Sequence, residues 1–330
     1  MDIRIRWTVQ LENNINGLGG VVLPTIDPYD RLALYVTDGW GTAARAVRFR
    51  KLSLETGEEL ANVVTRDYVS CFCVNDESIF AVLGMKKRIL KLNRVNLHIE
   101  AVYKKNVPQN IDHVSLGDVH TLLILKNEAM FIKRQGYFYR YDMITGQKRR
   151  KKIGGWCCGM EKVGEDTFLI FNYDSVLQYS LKTDTMEKLF DTERGFCVRG
   201  GSGRLYLFPV QKADGGGKSD PYSSRLLVYP PTLENRPLEI VSGFLSNFFW
   251  LSKDERFLYC YYRSGSRNAR EDIQNTLWVY SIPEGKVLFQ HTFDSGYVIN
   301  VFAEEGIVLT YDWNEKEGYQ LTCWEINAAL

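Results

Sequence analysis

The chain has 330 residues, of which 45% are hydrophobic and 13% aromatic, with a net charge of +1. That length holds one large domain or two ordinary ones, with ample material for a core. The charge balance excludes an acidic tail protein and a bulk polyanion binder.

The N-terminus, MDIRIRWTVQLENN, alternates charge with apolar residues and has no apolar h-region, so no signal peptide is expected. No apolar run approaches the roughly 18 residues needed to span a bilayer, so no transmembrane segment is expected. The cysteines number seven and are scattered, and the pattern N-x-[ST] never occurs. These features predict a soluble, reduced, cytoplasmic protein.

Residues 2–11 read as a strand with no partner nearby in sequence. After it, one unit recurs seven times. Short apolar pieces such as DYVSCFCV (67–74), GFCVRGG (195–201) and YVINVFA (297–303) come first. Strongly apolar second strands follow: RLALYVT (31–37), SIFAVLG (78–84), AMFIKRQ (129–135), TFLIFNY (167–173), RLYLFPV (204–210), RFLYCYY (256–262) and GIVLTYD (306–312). A third strand, a turn and a fourth strand are clearest in VRFRKLSLETGEEL (47–60), GYFYRYDMITGQKRR (136–150), SVLQYSLKTDTMEKL (175–189), RLLVYPPTLENRPLEI (225–240) and TLWVYSIPEGKVLFQ (276–290). KRILKLNRVNLHIEAV (87–102) and YQLTCWEINAAL (319–330) are weaker copies. Leu52, Leu92, Tyr141, Tyr179, Tyr229, Tyr280 and Trp324 share one register, with gaps of 38 to 51 residues. Five positions later stand Gly57, Gly146, Asp184 and Gly285, the turn formers of a hairpin.

Four short strands repeating at this spacing predict an all-β fold, a seven-bladed β-propeller of four-stranded antiparallel blades. No 12-residue segment shows a clean helical period, which argues against an α/β barrel. The chain is read as a single domain, 1–330. The blades lie near 17–65, 67–105, 112–152, 155–191, 195–242, 247–292 and 297–330. The last copy lacks a fourth strand, and residues 2–11 are expected to supply it, closing the ring and removing exposed sheet edges.

The chain resembles the seven-bladed propellers of the broad WD40, YVTN and quinoprotein-like group. Tyr141-Asp142 and Trp324-Glu325 sit where a WD40 repeat ends its third strand with Trp-Asp. No Gly-His dipeptide occurs, and the quinoprotein tryptophan-docking signature is absent, so the resemblance is one of architecture and carries no catalytic residue across.

In such a ring, connections between strands two and three share one face with those between blades. The long connections 37–45, 106–118, 209–225 and 263–276 all belong to that set. Their length beyond a tight hairpin marks the face as a candidate partner- or ligand-binding surface. Trp40, Asp112, His113, Trp156, Lys218, Tyr222, Arg267, Arg270 and Trp313 are its candidate residues. Gly215–Gly217, Lys218 and Ser219 have the composition of a phosphate loop, but Lys212 stands where a glycine is required and no helix follows. Tyr68, Trp156, Phe196, Phe248 and Tyr297 open the innermost strands of five blades, either packing between blades or rimming the channel.

Charge is uneven. Residues 86–152 hold 16 Lys and Arg against 5 Asp and Glu, a net of +11, which leaves −10 for the rest of the chain. Lys148, Arg149, Arg150, Lys151 and Lys152 form one run. Such a run either discourages edge-to-edge pairing or forms a patch for an acidic protein, a nucleic acid or an anionic membrane. Little aromatic interleaving accompanies it, which disfavours nucleic acid. The four histidines lack ligand spacing, so neither metal nor cofactor is expected. The sequence therefore predicts a monomeric, non-enzymatic scaffold that binds a protein or peptide, an acidic one included. The alternative is a small-molecule hydrolase or lactonase working at the mouth of the central channel.

Overall fold

The computed structural model describes residues 2–11, 24–38, 47–84, 87–107, 121–133, 136–210, 223–233, 237–246, 248–263, 275–314 and 318–327. Every regular element among them is a strand, and the 28 strands pair into seven four-stranded sheets.

β1 (Asp2–Leu11) opens the chain. Blade 1 runs β2 (Thr25–Asp27), β3 (Asp30–Asp38), β4 (Val47–Ser53) and β5 (Glu59–Thr65). Blade 2 runs β6 (Val69–Val74), β7 (Ser78–Leu83), β8 (Arg88–Asn93) and β9 (Ile99–Tyr103). Blade 3 runs β10 (Leu122–Leu125), β11 (Glu128–Lys133), β12 (Tyr137–Asp142) and β13 (Lys148–Lys152). Blade 4 runs β14 (Cys157–Lys162), β15 (Thr167–Asn172), β16 (Ser175–Ser180) and β17 (Thr185–Asp191). Blade 5 runs β18 (Gly195–Arg199), β19 (Leu205–Pro209), β20 (Ser223–Tyr229) and β21 (Leu238–Ser246). Blade 6 runs β22 (Phe248–Leu251), β23 (Phe257–Arg263), β24 (Asn275–Ser281) and β25 (Lys286–Thr292). Blade 7 takes β26 (Tyr297–Phe302), β27 (Ile307–Asn314) and β28 (Gly318–Asn327), and its outermost strand is β1.

Burial follows position in the blade and explains the sequence pattern. Second strands are covered on both faces, so they read as continuous apolar runs: β7 is buried at every residue and so is β19. Fourth strands face solvent and carry charge, and four of the five residues of β13 are exposed. The core lies between blades rather than at the centre. One cluster joins blades 7 and 1 through Trp7, Leu34, Leu52, Ile307 and Leu321. Others fill the seams between blades 1 and 2, 2 and 3, 3 and 4, and 6 and 7. The largest spans blades 4, 5 and 6.

The ring closes as the sequence predicts. β1 pairs antiparallel with β28 from Asp2 opposite Asn327 to Leu11 opposite Tyr319, with a bulge between Ile5 and Trp7. Arg4 and Arg6 both donate to Glu325, at 2.9 and 2.8 Å. The Trp7 indole N–H then donates to the Leu54 carbonyl of blade 1 at 2.9 Å, tying the closing strand to the next blade. Gly57, in that same turn, is left-handed (φ 73°), and a Cβ there would meet the Trp7 ring at 2.8 Å.

The Asp of Tyr141-Asp142 has a mechanical role. Its Oδ1 accepts from the backbone N–H groups of Ile144 and Thr145 at 2.9 and 2.7 Å, and Gly146 N–H bonds back to the Asp142 carbonyl. Asn93 plays the same part toward Val95 and Asn96 in blade 2. An Asx turn at the end of the third strand thus fixes these two hairpins. Gly57, Gly146, Asp184 and Gly285 all have positive φ, as their spacing predicts, and Leu97 adopts the same conformation at φ 59°.

Candidate functional site

The up-and-down order of strands gives the ring two unlike faces. On one, each innermost strand begins and the long connections start and end. Of the residues expected to act there, Trp40, Asp112, His113, Lys218, Tyr222, Arg267 and Arg270 lie outside the described residues. Trp313 lies on β27 opposite Tyr319, and its side chain lies outside them too. Trp156, immediately before β14, is described and 57% exposed.

The aromatic register divides between the two expected roles. The Tyr68 ring occupies the space beside Gly84, where a Cβ would meet it at 2.1 Å, and Phe196 and Tyr297 are half-buried. Trp156 meets Tyr173 edge-on at 6.5 Å, and Tyr173 meets Phe196 likewise at 6.2 Å. Phe248, 45% exposed, lies 6.1 Å from Tyr261. The Arg263 guanidinium of blade 6 sits 4.7 Å over the Tyr297 ring of blade 7, which abuts Tyr311, which stacks on Tyr319. The inner ends of blades 4 to 7 therefore present an arc of rings on the face of the long connections, with Trp156 and Phe248 open to solvent.

The basic run forms the outermost strand of blade 3, paired only with β12. Lys151 turns into the seam with blade 4, where its ammonium meets the Asp184 carbonyl at 2.6 Å and the Asp184 carboxylate at 3.4 Å. Arg140 completes that seam by donating to both oxygens of Glu128 at 2.7 and 2.8 Å and to Tyr179 at 3.0 Å. Tyr179 in turn donates to Asp184 at 2.7 Å, and this bond lowers the Asp184 pKa. Lys148, Arg149, Arg150 and Lys152 remain exposed, and among the described residues none of them has a carboxylate partner. Arg150 lies over the Tyr137 ring at 5.5 Å.

Buried carboxylates elsewhere act between blades. Asp27 is wholly buried and accepts from Tyr35 at 2.8 Å, from Arg94 of blade 2 at 3.0 and 2.8 Å, and from the Tyr29 backbone. Glu255 of blade 6 accepts from the Ser202 N–H and the Tyr206 hydroxyl of blade 5, both at 2.7 Å. These pairs escaped the sequence reading. The signal available was a tyrosine inside a strongly apolar run, whose hydroxyl requires a partner once buried.

The opposite face carries the turns between first and second strands. There the channel opens into a cavity of about 430 Å³ to which every blade contributes. Among the described residues no group of three His, Cys, Asp or Glu is placed to hold a metal ion. All seven cysteines are free thiols; six are buried and Cys73 is half-buried, where desolvation pushes its thiol up to about 11.

No profile of a known protein family matches the chain, and no curated protein sequence does. Solved structures are similar in fold. The WD40 domain of Pan2 from Neurospora crassa superposes with a TM-score of 0.65 at 9% identity, covering 100% of this chain and 98% of that one. A chain of the mitotic checkpoint complex gives 0.63 at 10% identity, covering 98% and 95%. At such identities the likeness is one of fold: this chain is a seven-bladed β-propeller of WD40-like architecture.

Proposed function

We propose that the chain is a non-enzymatic scaffold that holds a protein or peptide on the face of the long connections. The observation that carries this reading is the solvent-open pair Trp156 and Phe248 within an arc of rings on a rigid frame. Large rings fixed by their neighbours give contact area at little cost in side-chain entropy, which is why aromatic anchors concentrate binding energy. The fold supports the reading: the similar propellers include a WD40 domain and a chain of a named protein complex. The four exposed cations of β13 favour an acidic partner, held at the flank of blade 3. Seven free thiols suit a reducing compartment, and a ring in which all seven blades are complete suits a monomer.

The test is affinity capture with quantitative mass spectrometry, comparing the wild-type chain with Trp156→Ala/Phe248→Ala and with Lys162→Glu on the opposite face. The expected result is a stoichiometric partner retained by Lys162→Glu and lost by the double variant. A partner held equally by all three places binding away from the aromatic arc and contradicts the reading.

A further inference from the structure

The channel mouth opposite the long connections has a chemistry of its own. The innermost strands all end there, and their last residues or the turns that follow surround the opening. Blade 4 contributes Lys162, blade 5 Arg199, blade 6 Lys253, and blade 1 Arg31. Two carboxylates, Glu304 and Glu305 of blade 7, share the rim. Both are engaged: Glu305 pairs with Arg31, and Glu304 accepts from the Lys253 backbone N–H. Arg199 is held by Glu161 at 3.0 Å, which fixes its guanidinium while leaving further N–H donors. Lys162 is exposed and, among the described residues, has no ion pair.

Beside and behind these charges the wall is mixed, with Thr25, Asn75, Thr121 and Asn300 among apolar side chains. Phe72 and Val74 of blade 2, Leu123 and Leu125 of blade 3, Leu251 of blade 6 and Phe302 of blade 7 line the cavity. Its 430 Å³ falls within the range of small-molecule sites, about 300–1,000 Å³. Lys162 and Arg199 set beside apolar side chains are complementary to an amphipathic anion.

We propose that this end of the channel binds a small amphipathic carboxylate, its apolar chain inside the ring and its carboxylate between Lys162 and Arg199. The site lies on the face away from the proposed partner surface and does not depend on that reading. The two adjacent cations supply direction: an anion enters head outward, and a neutral ligand of equal length gains the wall but not the cations. Ala303, half-buried in the turn after β26, lines the cavity, so a larger side chain there obstructs its mouth.

Isothermal titration of the full chain with decanoate, and in parallel with decanol, tests the site. The expected result is one decanoate per chain, bound at least about tenfold more tightly than decanol. Lys162→Glu is expected to weaken decanoate by about tenfold and leave decanol unchanged, and Ala303→Trp to abolish both. Lys162 is exposed, so its variant remains informative if Ala303→Trp fails to fold. No saturable decanoate binding below about 1 mM overturns the proposal. So does equal affinity for the two probes, or decanoate binding indifferent to Lys162→Glu.

Discussion

Leu97 shows how a single position departs from what its residue type announces. Gly57, Gly146 and Gly285 advertise left-handed turns because glycine carries no steric penalty there. Leucine advertises the reverse, yet Leu97 adopts φ 59° because its side chain, 1% exposed, is anchored between blades 1 and 2. Burial outweighs a local strain of about 1–3 kcal/mol. At Gly57 the conformation and the Trp7 ring both forbid a side chain, so Gly57→Ala is expected to destabilise the fold by more than about 1 kcal/mol in a denaturant titration. Asp27 is the other extreme, a fully buried carboxylate whose removal strands Arg94 and Tyr35. Asp27→Ala is expected to cost about 3–5 kcal/mol by the same measurement. For Glu255, burial works to raise the pKa, but the donors from Ser202 and Tyr206 prevail and hold it below the ordinary carboxylate range. Its stabilisation is therefore complete above the unfolded value of about 4.3 and is lost as pH falls through the folded value. Glu255→Gln is expected to lower stability at neutral pH by about 1–3 kcal/mol and to flatten the loss of stability in acid, followed by melting from pH 7 downward.

Strands were legible in proportion to how their burial differs between neighbours. The second strands declare themselves because both faces are covered, as in β7, β15 and β19. The fourth strands declare themselves because one side is wet, and β13 does so with five consecutive cations. What the residue pattern cannot show is which of those cations a neighbouring blade absorbs. Lys151 reaches Asp184, 33 positions away, whereas Lys148, Arg149, Arg150 and Lys152 stay in water. Replacing those four with Glu is expected to shift the melting midpoint little, since exposed charges contribute only about 0.5 kcal/mol each, while abolishing capture of an acidic partner. A large loss of stability instead gives the run a structural role. The aromatic arc was half legible. Its register along the innermost strands was visible, but whether a ring faces solvent depends on what packs beside it, and Trp156 and Phe248 are open where the Tyr68 ring lies over Gly84 of its own blade.

The molecule as a whole is a circle of seams. Every core cluster joins at least two blades, so no blade has a core of its own, and stability is shared among neighbours. The one seam that sequence order cannot make is bridged by β1, whose pairing with β28 links residues more than 300 positions apart. This closure was legible because the seventh copy lacks a fourth strand while residues 2–11 form a strand with no local partner. Deleting residues 2–11 uncovers the β28 edge together with Leu321 and Cys323, and is expected to abolish the cooperative melt. The most direct measurement joins the two strands covalently. Thr8 and Thr322 are paired across β1 and β28 with their hydroxyls 3.2 Å apart, close enough for a disulfide. Oxidised Thr8→Cys/Thr322→Cys should show this crosslink by peptide mapping and melt above the reduced form, with a gain of up to about 5 kcal/mol. Absence of the crosslink under oxidising conditions in a natively folded variant contradicts the closed ring.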